Sequence, residues 1–214
     1  MDVNSIGTND VRTERIEKVL RHKQPTLKVM LDGVHSSQNL SAILRTSDGV
    51  GVQHLYYSTA EDKDLRIHKT ITQGAHRWVE RIRINMQERS AFLKQKQQEG
   101  YQVVVTHLES RAVSFREVDY TLPTIIVMGN EKEGVSSEIV ALADRVIVIP
   151  MMGMVQSLNV SVATALILYE AERQLELAGK YAVPQLSEEE RVRIRQAWLF
   201  RDIVARRSKG KIPL

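Results

Sequence analysis

The sequence predicts an α/β fold: a mainly parallel sheet flanked by helices. Three observations carry that expectation. Strand-like and helix-like runs alternate along most of the chain. The strand-like runs, such as VVV at 103–105, TIIVM at 124–128 and VIVI at 146–149, are continuously apolar rather than alternating. Continuous runs fit strands buried on both faces. Polar, glycine-bearing turns occupy Gln38–Gly51, Met128–Ser136 and Ile149–Ala163. In parallel sheets, ligands bind beyond the carboxyl ends of the strands.

Each element follows from local pattern. Thr8–Lys23 reads as a first helix, with Ile16, Val19 and Leu20 one turn apart and Pro25 past its end. Leu27–Leu31 reads as a strand and Asn39–Ser47 as a helix. Gln53–Ser58 and Val79–Ile84 read as strands. Gln87–Glu99 reads as a helix stopped by Gly100. Tyr101–His107 and Thr124–Met128 are strand-like, Ser136–Ala143 helical and Arg145–Ile149 strand-like. Gln156–Ala178 reads as a long helix stopped by Gly179, Val183–Ser187 as a linker, and Glu188–Ser208 as a last helix. The organisation expected is an N-terminal helical extension over 1–25, a catalytic domain over 26–180 and a basic helical extension over 181–214.

Composition narrows the function. With 214 residues and 43% apolar content, the chain can bury a sizeable core. There is no cysteine, so disulfides and thiolate metal sites are excluded. The six histidines show no ligand spacing, so no metal is expected. No apolar run is long enough to cross a membrane, and the N-terminus lacks a signal-peptide core. A cytoplasmic protein fits these features. The net charge of +4 conceals an asymmetry. Residues 1–28 carry +2 and residues 191–214 carry +7, leaving −5 for the middle. Basic ends on a mildly acidic body suit capture of a polyanion such as RNA or DNA, although solvated basic helices give the same pattern.

The three polar turns carry the chemistry. MGNEKEGVS over 128–136 has two glycines that permit close backbone approach, with Glu131 between them. It has a Walker-like G-x4-G spacing, but Val135 stands where the phosphate-gripping lysine belongs, which argues against a nucleoside triphosphatase. No GxGxxG opens a helix, so a dinucleotide site is not indicated. QNLSAILRTSDGVG over 38–51 places Asn39 and Arg45 on one helix. The third turn offers Gln156, Ser157 and Asn159 at the start of the long helix, where free N–H groups attract polar ligands. Thr106 and His107 end a strand at the same rim. Taken singly, each has a plain structural reading: Asn39, Ser157 and Asn159 as helix caps, Arg45 as a surface partner of Asp48, the glycines as a tight turn.

Taken together, NLSAILRTSDGVG at 39–51, VMGNEKEGVS at 127–136 and IPMMGMVQSLNVSVA at 149–163 resemble the three signature motifs of the SPOUT-class (SpoU/TrmH-type) RNA 2′-O-methyltransferases. The likeness runs from about Arg12 to Tyr181. It is nearest to the branch that methylates the D-loop guanosine at nucleotide 18 of tRNA, also through IEKVLRHKQP at 16–25 and FREVDYTLPT at 115–124. The resemblance implies a C-terminal deep trefoil knot, S-adenosylmethionine as cofactor, tRNA as substrate and a homodimer. It places the cofactor on Thr106, Met128, Gly129, Glu131, Ile149, Ser157 and Leu158. It assigns catalysis to Arg45, supported by Asn39, Glu131, Ser157 and Asn159, and RNA contacts to Arg12, Arg15, Lys23 and Arg173. Gln38 departs from relatives that often carry histidine there. The resemblance also admits a ribosomal RNA substrate, another tRNA position, or a catalytically silent RNA-binding protein of the same fold.

Overall fold

The computed structural model describes residues 10–59 and 64–207. Seven strands form one sheet: β1 (Leu27–Leu31), β2 (His54–Tyr57), β3 (Glu80–Arg83), β4 (Gln102–Thr106), β5 (Val113–Ser114), β6 (Thr124–Met128) and β7 (Arg145–Val148). Their order is β3-β2-β1-β6-β4-β7-β5, and every pairing is parallel. All five residues of β1 and of β6 are buried, the two-sided burial that their apolar runs predict. The core lies on both faces. One cluster joins Val29, Leu31, Ile126 and Met128 to Leu40, Ile43 and Leu44 and to Ile167, Leu168 and Ala171; the other joins Met30, Ile125 and Val127 to Leu93 and Ile139.

The helices are α1 (Asp10–Arg21), α2 (Ser37–Gly49), α3 (Lys69–Thr72), α4 (Arg89–Gln98), α5 (Ser137–Val140), α6 (Val160–Leu177) and α7 (Glu188–Arg207). Three differences from the sequence reading matter. The long helix α6 starts at Val160, not Gln156, because Asn159 caps it and the preceding residues remain in a loop. Helix α5 is a single turn, shorter than Ser136–Ala143. Strand β5 and helix α3 are additions: at two and four residues, both are too short to show a period. Thr8 and Ser208, the expected outer limits of the terminal helices, lie outside the described residues, as does the tail over 208–214.

The two ends of the chain pack on each other. Ile16 and Leu20 of α1 meet Trp198 and Leu199 of α7 and Leu186 before it, and Arg195 donates to Glu17 at 2.6 Å. Among the described residues, no helix is long and apolar enough to cross a membrane.

Candidate active site

The site forms where three turns meet at the carboxyl ends of β1, β4, β6 and β7. Ser36, not Asn39, caps α2: its hydroxyl accepts the Asn39 N–H at 3.1 Å. That leaves the Asn39 side chain free to reach outward. Its Nδ2 donates to Glu131 Oε1 at 2.6 Å, and its Oδ1 accepts from Asn159 Nδ2 at 3.2 Å. Asn159 Oδ1 in turn accepts from the Ser161 N–H and hydroxyl at 2.9 and 2.6 Å, capping α6. Both amides are therefore oriented from two sides, and one polar chain links all three turns.

The second turn is a closed loop. Asn130 and Gly134 exchange backbone hydrogen bonds at 3.1 Å each way, and Asn130 Oδ1 accepts the N–H groups of Lys132 and Glu133. Gly134 has φ +70°, and a Cβ on Gly129 would lie 2.0 Å from the Gly134 carbonyl carbon. Only glycine fits at 129 while the loop stays closed. Asp32, beyond β1, secures the loop from behind. Its carboxylate accepts the Ser136 N–H at 2.8 Å and pairs with the buried Arg89 guanidinium. Asp32 and Arg89 carry no signal in the sequence, because 57 residues separate them.

The second and third turns, with the carboxyl end of β4, enclose a cavity of about 660 Å³, within the roughly 300–1,000 Å³ typical of small-molecule sites. Thr106, Met128, Gly129, Glu131, Ile149, Ser157 and Leu158, the seven residues expected to hold the cofactor, all line it, as does Asn159. His107, Asn130 and Gln156 line it too. Asn130 was legible as a turn-forming residue of the GNEKEG loop. Among the described residues, no backbone hydrogen bond ties residues 150–158 to the rest of the chain. Their peptide groups lie open to a ligand. Apolar walls at Met128, Ile149 and Leu158, with open peptide groups and a carboxylate between them, suit a nucleoside-bearing zwitterion such as S-adenosylmethionine.

Arg45 stands apart from this group. It is exposed, its Nη1 lies 3.5 Å from the Ile71 carbonyl, and it does not line the cavity. Six helical residues separate it from Asn39 by ~9 Å along the axis and turn it ~120° away. Nor does it pair with Asp48, which faces Lys23 at 3.6 Å.

Lys23 corrects an expectation. Instead of facing RNA it is fully buried, donating to the Val52 and Trp78 carbonyls at 3.2 and 2.9 Å. Burial lowers its pKa to about 8 and raises that of Asp48, so desolvation outweighs their mutual attraction on both sides. Arg15 is exposed on α1, and Arg12 packs over the Trp78 ring with 5.8 Å to the centroid. Arg173 is exposed on α6 and held by Glu170 at 2.7 and 3.0 Å.

The comparisons agree with this geometry. The model of the SpoU rRNA Methylase family matches residues 26–169. The tRNA (guanosine(18)-2′-O)-methyltransferase of Aquifex aeolicus (strain VF5) is 50% identical over 200 residues, covering 92% of this chain and 93% of the relative. The crystal structure of the A. aeolicus TrmH/SpoU tRNA modifying enzyme superposes with a TM-score of 0.87 at 49% identity, over 91% of this chain and 98% of that one. An AdoMet-bound rRNA methyltransferase from Sinorhizobium meliloti superposes with a TM-score of 0.63 at 34% identity, over 73% of this chain and 60% of that one. A family model spanning most of the chain, and a relative half-identical over nine tenths of it, make this protein a member of the SpoU rRNA Methylase family.

Proposed function

We propose that this chain is a tRNA 2′-O-methyltransferase that uses S-adenosylmethionine to methylate the ribose of the D-loop guanosine at nucleotide 18. The observation that carries the reading is the Asn39–Glu131–Asn159 chain at a cavity lined by all seven expected cofactor residues. The A. aeolicus relative of that activity matches 92% of this chain, more than the catalytic core alone, which favours tRNA over ribosomal RNA.

S-adenosylmethionine supplies a methyl group on a sulfonium, already activated for in-line displacement. The protein must bind, orient and manage one proton. Met128, Ile149 and Leu158 offer apolar walls, Gly129 allows close backbone approach, and Thr106 and Ser157 add hydroxyls. Asn39, fixed by Glu131 and Asn159, orients the entering ribose. The 2′-hydroxyl is a weak nucleophile and must lose its proton as it attacks. A guanidinium does not act as a base. Arg45 instead grips the adjacent phosphate and stabilises charge developing on the 2′-oxygen, while the phosphate or water takes the proton. Arg12, Arg15 and Arg173 contact the tRNA backbone.

Two further features belong to this reading. A C-terminal trefoil knot is supported by the sheet order, in which β7 lies between β4 and β5, two strands consecutive in the chain. Gln174 of α6 clasps the returning segment, accepting from Tyr120 N–H at 2.9 Å and donating to the Val118 carbonyl at 3.0 Å. A homodimer is supported by exposed Val162, Leu166 and Tyr169, one turn apart on α6.

The test is incubation with methyl-labelled S-adenosylmethionine, total tRNA and ribosomal RNA, followed by mapping of the modified ribose. Label is expected at guanosine 18, and none in a transcript carrying 2′-deoxyguanosine there. Label confined to ribosomal RNA overturns the substrate.

A further inference from the structure

The loop over 129–135 carries Gly129 and the Glu131 carboxylate to the wall of the cofactor cavity. Backbone bonds between Asn130 and Gly134 close it on itself. A ring closed in this way can still swing as one body about its ends. Asp32, the residue after β1, holds both ends. Its backbone N–H donates to the Met128 carbonyl at 2.8 Å, immediately before the loop. Its Oδ2 accepts the Ser136 N–H at 2.8 Å, immediately after it.

The carboxylate is itself held. Its Oδ1 pairs with the Arg89 guanidinium, whose Nε donates to the Met86 carbonyl at 2.6 Å and whose Nη1 lies 3.5 Å from the Ser136 hydroxyl. Asp32 is 2% exposed and Arg89 8%. A pair so buried is a poor source of stability, because desolvating two charges offsets their attraction, and apolar residues of similar volume often do as well. Apolar side chains cannot, however, accept the Ser136 N–H. A carboxylate serves two donors at once, one on each oxygen, where an asparagine offers a single oxygen. The pair is therefore arranged for position rather than for stability.

We propose that Asp32 is a positioning residue for the cofactor, that Arg89 fixes its carboxylate, and that the Asp32–Ser136 bond sets the affinity for S-adenosylmethionine through the loop it holds. The inference rests on the reading that the cavity takes that cofactor. Neither side chain lines the cavity, so both act through Gly129 and Glu131. Glu131 accepts from Asn39 at 2.6 Å, so the same bond also governs how the entering ribose is oriented. Polar groups inside a protein are rarely left unpaired. Without its acceptor the Ser136 N–H turns to water, and the loop swings outward with it.

Two double variants of the full chain separate position from stability. Asp32→Asn with Arg89→Met removes both charges and keeps one oxygen for the Ser136 N–H. Asp32→Leu with Arg89→Met removes both charges and the acceptor. Each is compared with the wild type by chemical denaturation, by calorimetric titration with S-adenosylmethionine in the absence of RNA, and by steady-state kinetics. In the asparagine variant the Kd for S-adenosylmethionine should stay within about threefold of wild type, and in the leucine variant it should rise at least roughly tenfold, the scale of one lost hydrogen bond. The kcat should fall in the leucine variant, with KM for tRNA unchanged in both. A purely structural pair would make the two variants alike. A measurement on the wild type needs no variant to fold: the Ser136 amide should exchange with deuterium at least roughly tenfold more slowly than an open peptide N–H, and more slowly again with S-adenosylmethionine present. Free exchange at Ser136, or equal Kd in the two double variants, overturns the positioning role and leaves tRNA methylation standing. A wild-type chain that protects the Ser136 amide but binds no S-adenosylmethionine overturns the proposed function, and this inference with it.

Discussion

Lys23 shows how one residue can look like an RNA contact and be something else. It sits among basic neighbours in the sequence, yet its ammonium is enclosed by two carbonyls and Asp48, 5.7 Å from the Trp198 ring centroid. Removing one partner of a buried pair leaves the other uncompensated. Lys23→Met should therefore destabilise the fold by about 3 kcal/mol, read by chemical denaturation. The slope of log Kd for tRNA against log salt should not change; a phosphate contact would flatten it by about one unit. Lys23 also gives a pH signature. Its folded pKa, about 8, lies below the ordinary 10.5, so between those values the unfolded chain binds the extra proton. Stability contributed by this group therefore rises as pH increases above about 8 and is lost as pH falls back through it. Lys28 acts in the same sense, so Lys23→Met should reduce the rise without abolishing it. Arg45 is the opposite case, exposed and bonded only weakly to the Ile71 carbonyl. Arg45→Ala should leave the melting temperature and cofactor affinity unchanged and lower kcat by roughly 10²–10³-fold. Near-normal turnover would remove Arg45 from the mechanism.

Among the elements, the loop from Gly129 to Ser136 is the most constrained, and its glycine makes the sharpest test. In Gly129→Ala the new methyl would overlap the Gly134–Val135 backbone, so the loop must open. Glu131 would then move from Asn39, and the cofactor wall with it. Cofactor affinity measured by calorimetry should fall at least roughly tenfold, or ~1.4 kcal/mol; wild-type affinity would show that the closed loop is not needed. This loop also marks what the sequence could reveal. Its glycines and Asn130 announce a tight turn by residue type alone. Strands β1 and β6 are legible because they are buried on both faces and apolar apart from Lys28 and Thr124. The Asp32–Arg89 pair that anchors the loop is not legible, since neither residue belongs to a periodic pattern and only the tertiary fold brings them together. The start of α6 differs for a local reason: Gln156–Leu158 continue a helix-compatible pattern, and the sequence offers both Ser157 and Asn159 as caps, between which only the side-chain hydrogen bonds of Asn159 decide. The position of Lys23 inside the molecule was hidden in the same way, by an Asp48 that sequence spacing matched with Arg45.

At the scale of the whole molecule, the site of one protomer looks incomplete in one respect. Its cavity carries Glu131, Ser157 and Asn159, with Asn39 hydrogen-bonded to the first and last of these, but Arg45 lies outside it. The exposed apolar face of α6 packs beside α2, with the Tyr169 hydroxyl 3.5 Å from where a Gly49 Cβ would stand. A twofold pairing through that face would present α2 of one copy to the other, and a twofold interface repeats each contact in both directions. Arg45 would then complete the partner's cavity, which two experiments can decide. A chain that pairs through this face should become monomeric in sedimentation on Leu166→Arg and lose activity with it. Arg45→Ala and Asn159→Ala should each be nearly inactive alone. When the two variants are denatured together and refolded, half of the dimers are mixed, and each mixed dimer carries one site with an intact cavity and an intact arginine. About a quarter of the wild-type activity should therefore return. If Arg45 serves its own cavity, every site in the mixture is damaged and no activity returns, which would place the arginine back within its own protomer and require α2 or the 64–72 segment to move when RNA binds.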